Sequence, residues 1–262
     1  MGENQEGFGH QVSKISYKNR AQIEAMRKSG RLARRVLDAI CEAAQEGTTP
    51  RQLDSIARRL IQEAGAKSPF LGHHGFPNTI TVSVNEAVVH GIPTTIPLRR
   101  GDVVSLDVGT LLGGWVGDNA HTVGVGEVSA KAARLMKITE EALYIGIKEA
   151  KAGNRTGDIG WAIQNHCESH GYGVVRPLCG HGVGRSMWEE PQVPNYGKRG
   201  QGTILKPGMT IAIEPMINEG TAEVRQLSDK WTYVTADGKL SAHYEHTVAI
   251  TSDGPEILTS RD

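Results

Sequence analysis

No stretch of the chain approaches the roughly 18 consecutive apolar residues that a membrane-spanning helix needs. The polar start from Met1 to Gln11 also lacks the basic-then-apolar order of a secretory signal. Myristoylation is excluded, because Met1-Gly2 is followed by Glu6 where that signal wants Ser or Thr. An excess of one charge is missing too. Lysine plus arginine and aspartate plus glutamate number 29 each, which leaves no electrostatic footprint for DNA, RNA or an anionic membrane. Cysteine is scarce. Cys41, Cys167 and Cys179 are odd in number and widely spaced, so neither a disulfide framework nor a CxxC thiolate zinc site fits. There is no HExxH and no GKS or GKT, which removes the helical zinc-protease arrangement and the P-loop phosphate cradle. The expectation is a neutral protein of a reducing compartment, the cytoplasm, with no nucleic-acid or membrane partner.

What is there reads as alternating blocks of helix and strand. Apolar residues recur at helical spacing from Asn19 to Glu46, and Thr49-Pro50 gives an N-cap and a first-turn proline for a helix from Arg51 to about Ala64. Two further helices are predicted over Ser129 to Ala150 and Thr156 to His170. Strands are predicted over Thr79–Val84, Val103–Leu111, Trp115–Val125, Val174–Val175, Thr210–Ile217, Ala222–Leu227, Trp231–Thr235 and His243–Ile250. No low-complexity linker divides the chain. The expectation is therefore a flexible tail over residues 1–15 and one α+β domain over 16–262. No exposed apolar helix demands a partner, so a monomer is expected.

The two halves echo each other. Gly101 is followed six residues later by Asp107 within an apolar run, and Gly208 six residues later by Glu214 within another. Asp118 lies just before His121-Thr122-Val123, and Glu245 just before His246-Thr247-Val248. Duplication would give a pseudo-twofold domain with its site at the junction; short echoes also arise by chance.

The carboxylates carry the physical argument. Asp107 interrupts a strand that otherwise reads as buried, and an isolated charge there is costly unless it is paired or binds a metal. If Gly113-Gly114 is the hairpin turn, Asp107 faces Ala120 and Asp118 faces Gly109. Alternation then puts both acids on one face of the sheet. Glu214 ends an apolar strand and Glu245 begins one. Any one of these acids could sit in a buried salt bridge, but Lys and Arg are absent from these strands. His181 stands between glycines in Cys179-Gly180-His181-Gly182-Val183-Gly184, where the backbone can approach a site closely, and it is the candidate nitrogen ligand. Cys179 beside it reads as a small buried residue. His90 and His74 each sit at a loop next to a glycine and are further functional candidates, with a structural role for His74 equally open.

These motifs, in order, are His74-Gly75-Phe76-Pro77, Asn85-Glu86, His90-Gly91-Ile92-Pro93, Gly180-His181-Gly182-Val183-Gly184, Glu189-Glu190-Pro191, Glu214-Pro215-Met216 and Tyr244-Glu245-His246-Thr247. Over roughly residues 15 to 258 the chain resembles the type I methionine aminopeptidases, whose pita-bread fold is shared with aminopeptidase P and prolidase. The resemblance implies two divalent metal ions, manganese, iron, cobalt or zinc. It implies Asp107 on one of them, Asp118 and Glu245 bridging, and His181 and Glu214 completing the other. It also implies His90 at the scissile bond, Glu214 as proton shuttle and His74 supporting the substrate. The substrates would be N-termini of nascent polypeptides, met at the ribosome. His73, Phe76, Thr81, Met187, Trp188 and Trp231 would line the substrate pocket. Phe76 and Trp231 match the family pattern. Trp188 stands where a histidine is usual, Met187 where an aromatic is, Thr81 where cysteine is common and His73 where tyrosine is. Rival readings are a prolidase or X-Pro aminopeptidase of the same fold, and a metal-free binding protein that kept the fold.

Overall fold

Asn19 and Thr49 each accept from a backbone amide three residues on, while Gln22 and Gln52 reach back to the cap. These capping boxes start α1 (Arg20–Ala43) and α2 (Pro50–Glu63). The computed structural model describes residues 15–261. The expected tail lies outside the described residues except Ile15, which packs against the core. The chain continues through β1 (Thr81–Val84), β2 (Ala87–Val89), β3 (Val103–Leu112) and β4 (Trp115–Gly124). Ser129 caps α3 (Ala130–Glu149), and α4 (Thr156–Ser169) follows. The remainder is strand: β5 (Gly173–Val174), β6 (Gly180–Gly182), β7 (Glu189–Val193), β8 (Thr210–Ile213), β9 (Met216–Asn218), β10 (Val224–Gln226), β11 (Tyr233–Thr235), β12 (Ser241–His243), β13 (His246–Thr251) and β14 (Gly254–Ile257).

Strand alternation sorts apolar residues from acids. Val104, Leu106 and Val108 of β3 point outward into a core with Val36, Leu37 and Ile40 of α1 and Leu53 and Ile61 of α2. Ile211 and Ile213 of β8 and Val248 and Ile250 of β13 pack in the same way on Leu143 and Ile147 of α3 and Ile159 and Ile163 of α4. Asp107 and Glu214 have the opposite parity and so face inward. Each half is thus a helix pair laid on the outer face of a sheet, with its acids on the inner face.

The two halves meet at a seam between β4 and the β12–β13 segment. The Asp118 N–H donates to Thr247 Oγ1 (3.0 Å), and that hydroxyl donates to the Asp118 carbonyl (2.8 Å). The His243 N–H donates to Thr122 Oγ1 (2.9 Å), and that hydroxyl donates to the His243 carbonyl (2.7 Å). Between them the Glu245 N–H donates to the Ala120 carbonyl (3.0 Å). Thr122 and Thr247 are the threonines of the two His-Thr-Val echoes, and they make the same pair of bonds in opposite directions.

Two expected strands are each interrupted. Thr210–Ile217 divides into β8 and β9, and His243–Ile250 into β12 and β13. Pro215 has no N–H for a ladder, and Tyr244-Glu245 turns away to meet β4 instead. Ile213 still pairs with His246 and Met216 with His243, so the register runs on through the kink and sets Glu214 opposite Glu245. Sequence patterning did not find β2, β6, β7 or β14, which are short or lack apolar alternation.

Candidate metal centre

The β3–β4 hairpin has the expected register. Gly113 and Gly114 both take positive φ (59° and 78°), as a tight hairpin turn requires, and Asp107 pairs with Ala120 while Asp118 pairs with Gly109. Both carboxylates are buried. From the other half come Glu214 and Glu245, and from β6 comes His181. Ligand atoms of Asp118, His181 and Glu245 lie within 4.8 Å of one another. His181 Nε2 is 3.7 Å from Asp118 Oδ2 and 3.5 Å from Glu214 Oε1. β6 lies inside its sheet, between β7 and β8, where a Cβ on Gly180 would come within 2.3 Å of the Ala212 carbonyl oxygen. Only glycine fits beside His181 there.

The electrostatics point away from an ordinary ion-pair cluster. Burial pushes the Asp107, Glu214 and Glu245 carboxyls well above their ordinary range, and their mutual repulsion adds to it. Asp118 is pushed up to about 7 by burial, against a hydrogen bond from Glu245. Among the described residues no Lys or Arg lines this cavity, so nothing of positive charge offsets the four acids. Asp107 Oδ1, Asp118 Oδ1 and Glu245 Oε1 are buried without any partner. Orphaned carboxylate oxygens at such depth are costly unless a cation meets them. The His181 ring fits the same purpose. Its Nδ1–H donates to the Gly182 carbonyl (2.9 Å), which leaves the Nε2 lone pair facing the acids. Burial lowers its pKa to about 4, so the imidazole is neutral at physiological pH. The donor set of carboxylates and one imidazole suits divalent manganese, iron, cobalt or zinc.

Around this centre lies a cavity of about 630 Å3. His90, Thr81, His73, Phe76, Met187, Trp188 and Trp231 all contribute to its wall. His90 follows β2 at positive φ (59°), an uncommon conformation for a residue with a Cβ, and burial lowers its pKa to about 4. Phe76 and Trp231 meet edge to face at 5.1 Å. Trp188 is 43% exposed and stacks on His73 at 4.0 Å. Thr81 lies directly across from Asp107, and its hydroxyl favours the charged form of that carboxyl against the larger effect of burial. His74 is not brought to the wall. It is exposed, at φ 45°, with its ring edge-on to His73. Cys179, expected to be buried, is half-buried and lines the cavity. Phe70 and His243 were missed in the sequence. Phe70 forms part of the wall, and the Nε2 of His243 lies 3.8 Å from Glu214 Oε2. The apolar Pro69-Phe70-Leu71 run before Gly72 was a usable signal for the first; nothing local marked the second.

Comparison with known proteins agrees with this geometry. Residues 24–252 match metallopeptidase family M24. The chain is 48% identical to a methionine aminopeptidase of Clostridium perfringens, over 94% of this chain and 98% of that one. It is 46% identical to methionine aminopeptidase 1 of Bacillus subtilis, over 94% and 99%. The crystal structure of methionine aminopeptidase from Rickettsia prowazekii superposes with a TM-score of 0.93 at 40% identity, covering 94% of this chain and all of the other. A prolidase from Pyrococcus horikoshii matches with a TM-score of 0.74 at 24% identity, covering 94% of this chain and 64% of that one, and shows the shared fold alone. With its pita-bread fold, the chain belongs to metallopeptidase family M24 and stands among the methionine aminopeptidases of that family.

Proposed function

We propose that this protein removes the N-terminal methionine from nascent proteins and peptides whose second residue is small. The observation that carries the reading is the convergence of Asp107, Asp118, Glu214, Glu245 and His181 on one cavity, with orphaned oxygens on three of the acids and no lysine or arginine lining it among the described residues. Asp107, Asp118, His181, Glu214 and Glu245 would hold two divalent cations. When bound, those cations supply a Lewis acid for the first peptide carbonyl and an activated water. Glu214 takes a proton from the attacking water and returns it to the leaving amine. His90, neutral at physiological pH, donates a hydrogen bond to the oxygen on which charge develops. Phe70, Phe76, Met187 and Trp231 form an apolar recess for the methionine side chain, with His73, Thr81 and Trp188 completing it. His74 acts at most through His73, since it does not reach the cavity. Residues 16–262 act as one catalytic domain, as a monomer, on chains met in the cytoplasm at the ribosome.

Trp188 stands where the family pattern usually has a histidine. An indole can donate through its ring nitrogen but cannot accept there or act as a base. Stacked on His73, it supplies surface to the cavity where an imidazole would supply proton chemistry. The reading is that the chemistry survives and that rate or substrate choice has shifted.

Purified protein with manganese is expected to cut Met-Ala-Ser, to leave Ala-Pro-Ala intact, and to lose activity on stringent chelation. Preference for Ala-Pro-Ala would move the protein to the X-Pro peptidases, and activity indifferent to chelation would end the metal reading. His90→Ala is expected to keep its metal, measured by elemental analysis, while kcat falls by about 100-fold or more. Trp188→His is expected to raise kcat/KM on at least one tripeptide of a Met-Xaa-Ser series; no gain on any of them would clear Trp188 of limiting the rate.

Stability carries a pH signature. Carboxyls whose folded pKa is raised favour the metal-free fold below their unfolded value of about 4, and that contribution is lost as pH rises through the folded values. For Asp118 that value is about 7. The buried histidines His243 and His246, each lowered to about 3 by burial, act in the opposite sense in both forms. The difference between manganese-loaded and stripped protein isolates the carboxyls. The rise in Tm on adding manganese is expected to grow between about pH 5 and about pH 7.5 as metal no longer competes with protons. A constant rise would mean that the metal sits elsewhere.

A further inference from the structure

We propose that His243 is a positioning residue for Glu214. Its Nε2–H holds one carboxylate oxygen so that the other faces the metal centre. The proposal deepens the metal-centre reading; its kinetic arm rests on the peptidase reading and its binding arm does not.

His243 ends β12, is 2% exposed, and takes no part in the cavity wall, so it does not touch substrate. Its Nε2 is buried and has no hydrogen-bond partner. That atom lies 3.8 Å from Glu214 Oε2, while Glu214 Oε1 lies 3.5 Å from His181 Nε2. At 3.8 Å the pair are neighbours without yet being hydrogen-bonded. Among the described residues Glu214 is the one acid within 4.0 Å of the ring. A bond from Nε2–H to Oε2 satisfies the buried donor and leaves one Glu214 oxygen for the centre. An unmade bond at this depth would be costly.

Both partners are fixed at the backbone, so the side-chain bond is the remaining variable. Thr122 clamps the N–H and carbonyl of His243, and Ser105 Oγ lies 2.8 Å from the same hydroxyl. Asn195 Nδ2 donates to the Glu214 carbonyl (2.9 Å). The seam gives a second, independent argument. Thr247 clamps Asp118 by the same two bonds with which Thr122 clamps His243. The two echoing segments therefore build two equivalent stations beside the centre. One is filled by an acid, Asp118, which lines the cavity and would hold metal directly. The other is filled by a base that reaches the centre only through Glu214. Partners of this kind orient ligating carboxylates, and their loss weakens metal binding or activity by about 10- to 100-fold.

The test compares His243→Leu, which keeps much of the bulk and loses the donor, with His243→Gln, which keeps an N–H donor. Manganese titration of chelator-stripped full-length protein is read by calorimetry. His243→Leu is expected to bind manganese about 10- to 100-fold more weakly. In the manganese-loaded enzyme its kcat on Met-Ala-Ser should fall while KM stays within about two-fold. His243→Gln should recover most of both. Wild-type manganese affinity in His243→Leu, or no recovery in His243→Gln, overturns the proposal. Loss of one whole metal equivalent in His243→Leu overturns it too, by making His243 a ligand. A wild-type measurement covers the case in which His243→Leu does not fold. Ring 15N shifts of the zinc-loaded protein should show His243 as the Nε2–H tautomer, and an Nδ1–H tautomer sinks the idea. If the wild type cuts no tripeptide, the peptidase reading fails while the manganese and tautomer arms still decide the role of His243.

Discussion

Four carboxyl groups crowd one another at the floor of the cavity, with no lysine or arginine lining it among the described residues, and the rest of the site depends on how that charge is met. Each has lost its water, and each raises the cost of ionising the next. Without a cation, burial and mutual repulsion hold the carboxyls above their ordinary range and so favour their protonated forms. A divalent ion removes both penalties together, because it replaces the lost hydration and screens the repulsion. The surrounding fold holds the acids in this unfavourable proximity and lets the ion be the relief.

It does so by dividing the burden. Asp107 and Asp118 are fixed by one hairpin, and Glu214 and Glu245 by the strand pair of the other half. Neither half brings more than two acids together. The cluster exists only where the halves dock, and the docking is done by hydroxyls and backbone groups of the seam rather than by the acids. The two-way bonds of Thr122 and Thr247 tie β4 to the β12–β13 segment at the residues that must be held most accurately. The kinks at Glu214-Pro215 and Tyr244-Glu245 serve the same end. They free the local backbone from its ladder so that Glu245 can pair with Ala120 across the seam.

The cavity wall has a different origin from its floor. Asp107 and Asp118 come from strands, and Glu214 and Glu245 from the two-residue kinks between paired strands, whereas Phe70, His73, Phe76, Met187, Trp188 and Trp231 lie outside the strand pairs. Loops tolerate exchange that strands do not. A chain can therefore keep an intact ligand set while placing a tryptophan stacked on a histidine at the mouth. The proposed chemistry and the proposed selectivity are thus separable.

The local rules were legible in the sequence. Thr49-Pro50 announced the start of α2, because capping involves residues only three apart. Gly113-Gly114 set the register that puts Asp107 and Asp118 on one face, because a tight turn leaves a hairpin no other pairing. The acids stood out because a charge within an apolar strand needs a partner wherever that strand packs. What the sequence alone could not settle depends on which segments meet in space. The kink at Tyr244-Glu245 goes with contact to β4, more than 120 residues away. His74 and His90 were both candidates, with a structural role open for His74; the turn at Gly72–Gly75 leaves His74 exposed, while the end of β2 brings His90 to the cavity wall. His243 carried no mark at all until docking put its ring nitrogen beside Glu214. Residue type and spacing determine what each segment can do; the packing of the two halves decides which of those side chains share a site, because that contact is a property of neither segment by itself.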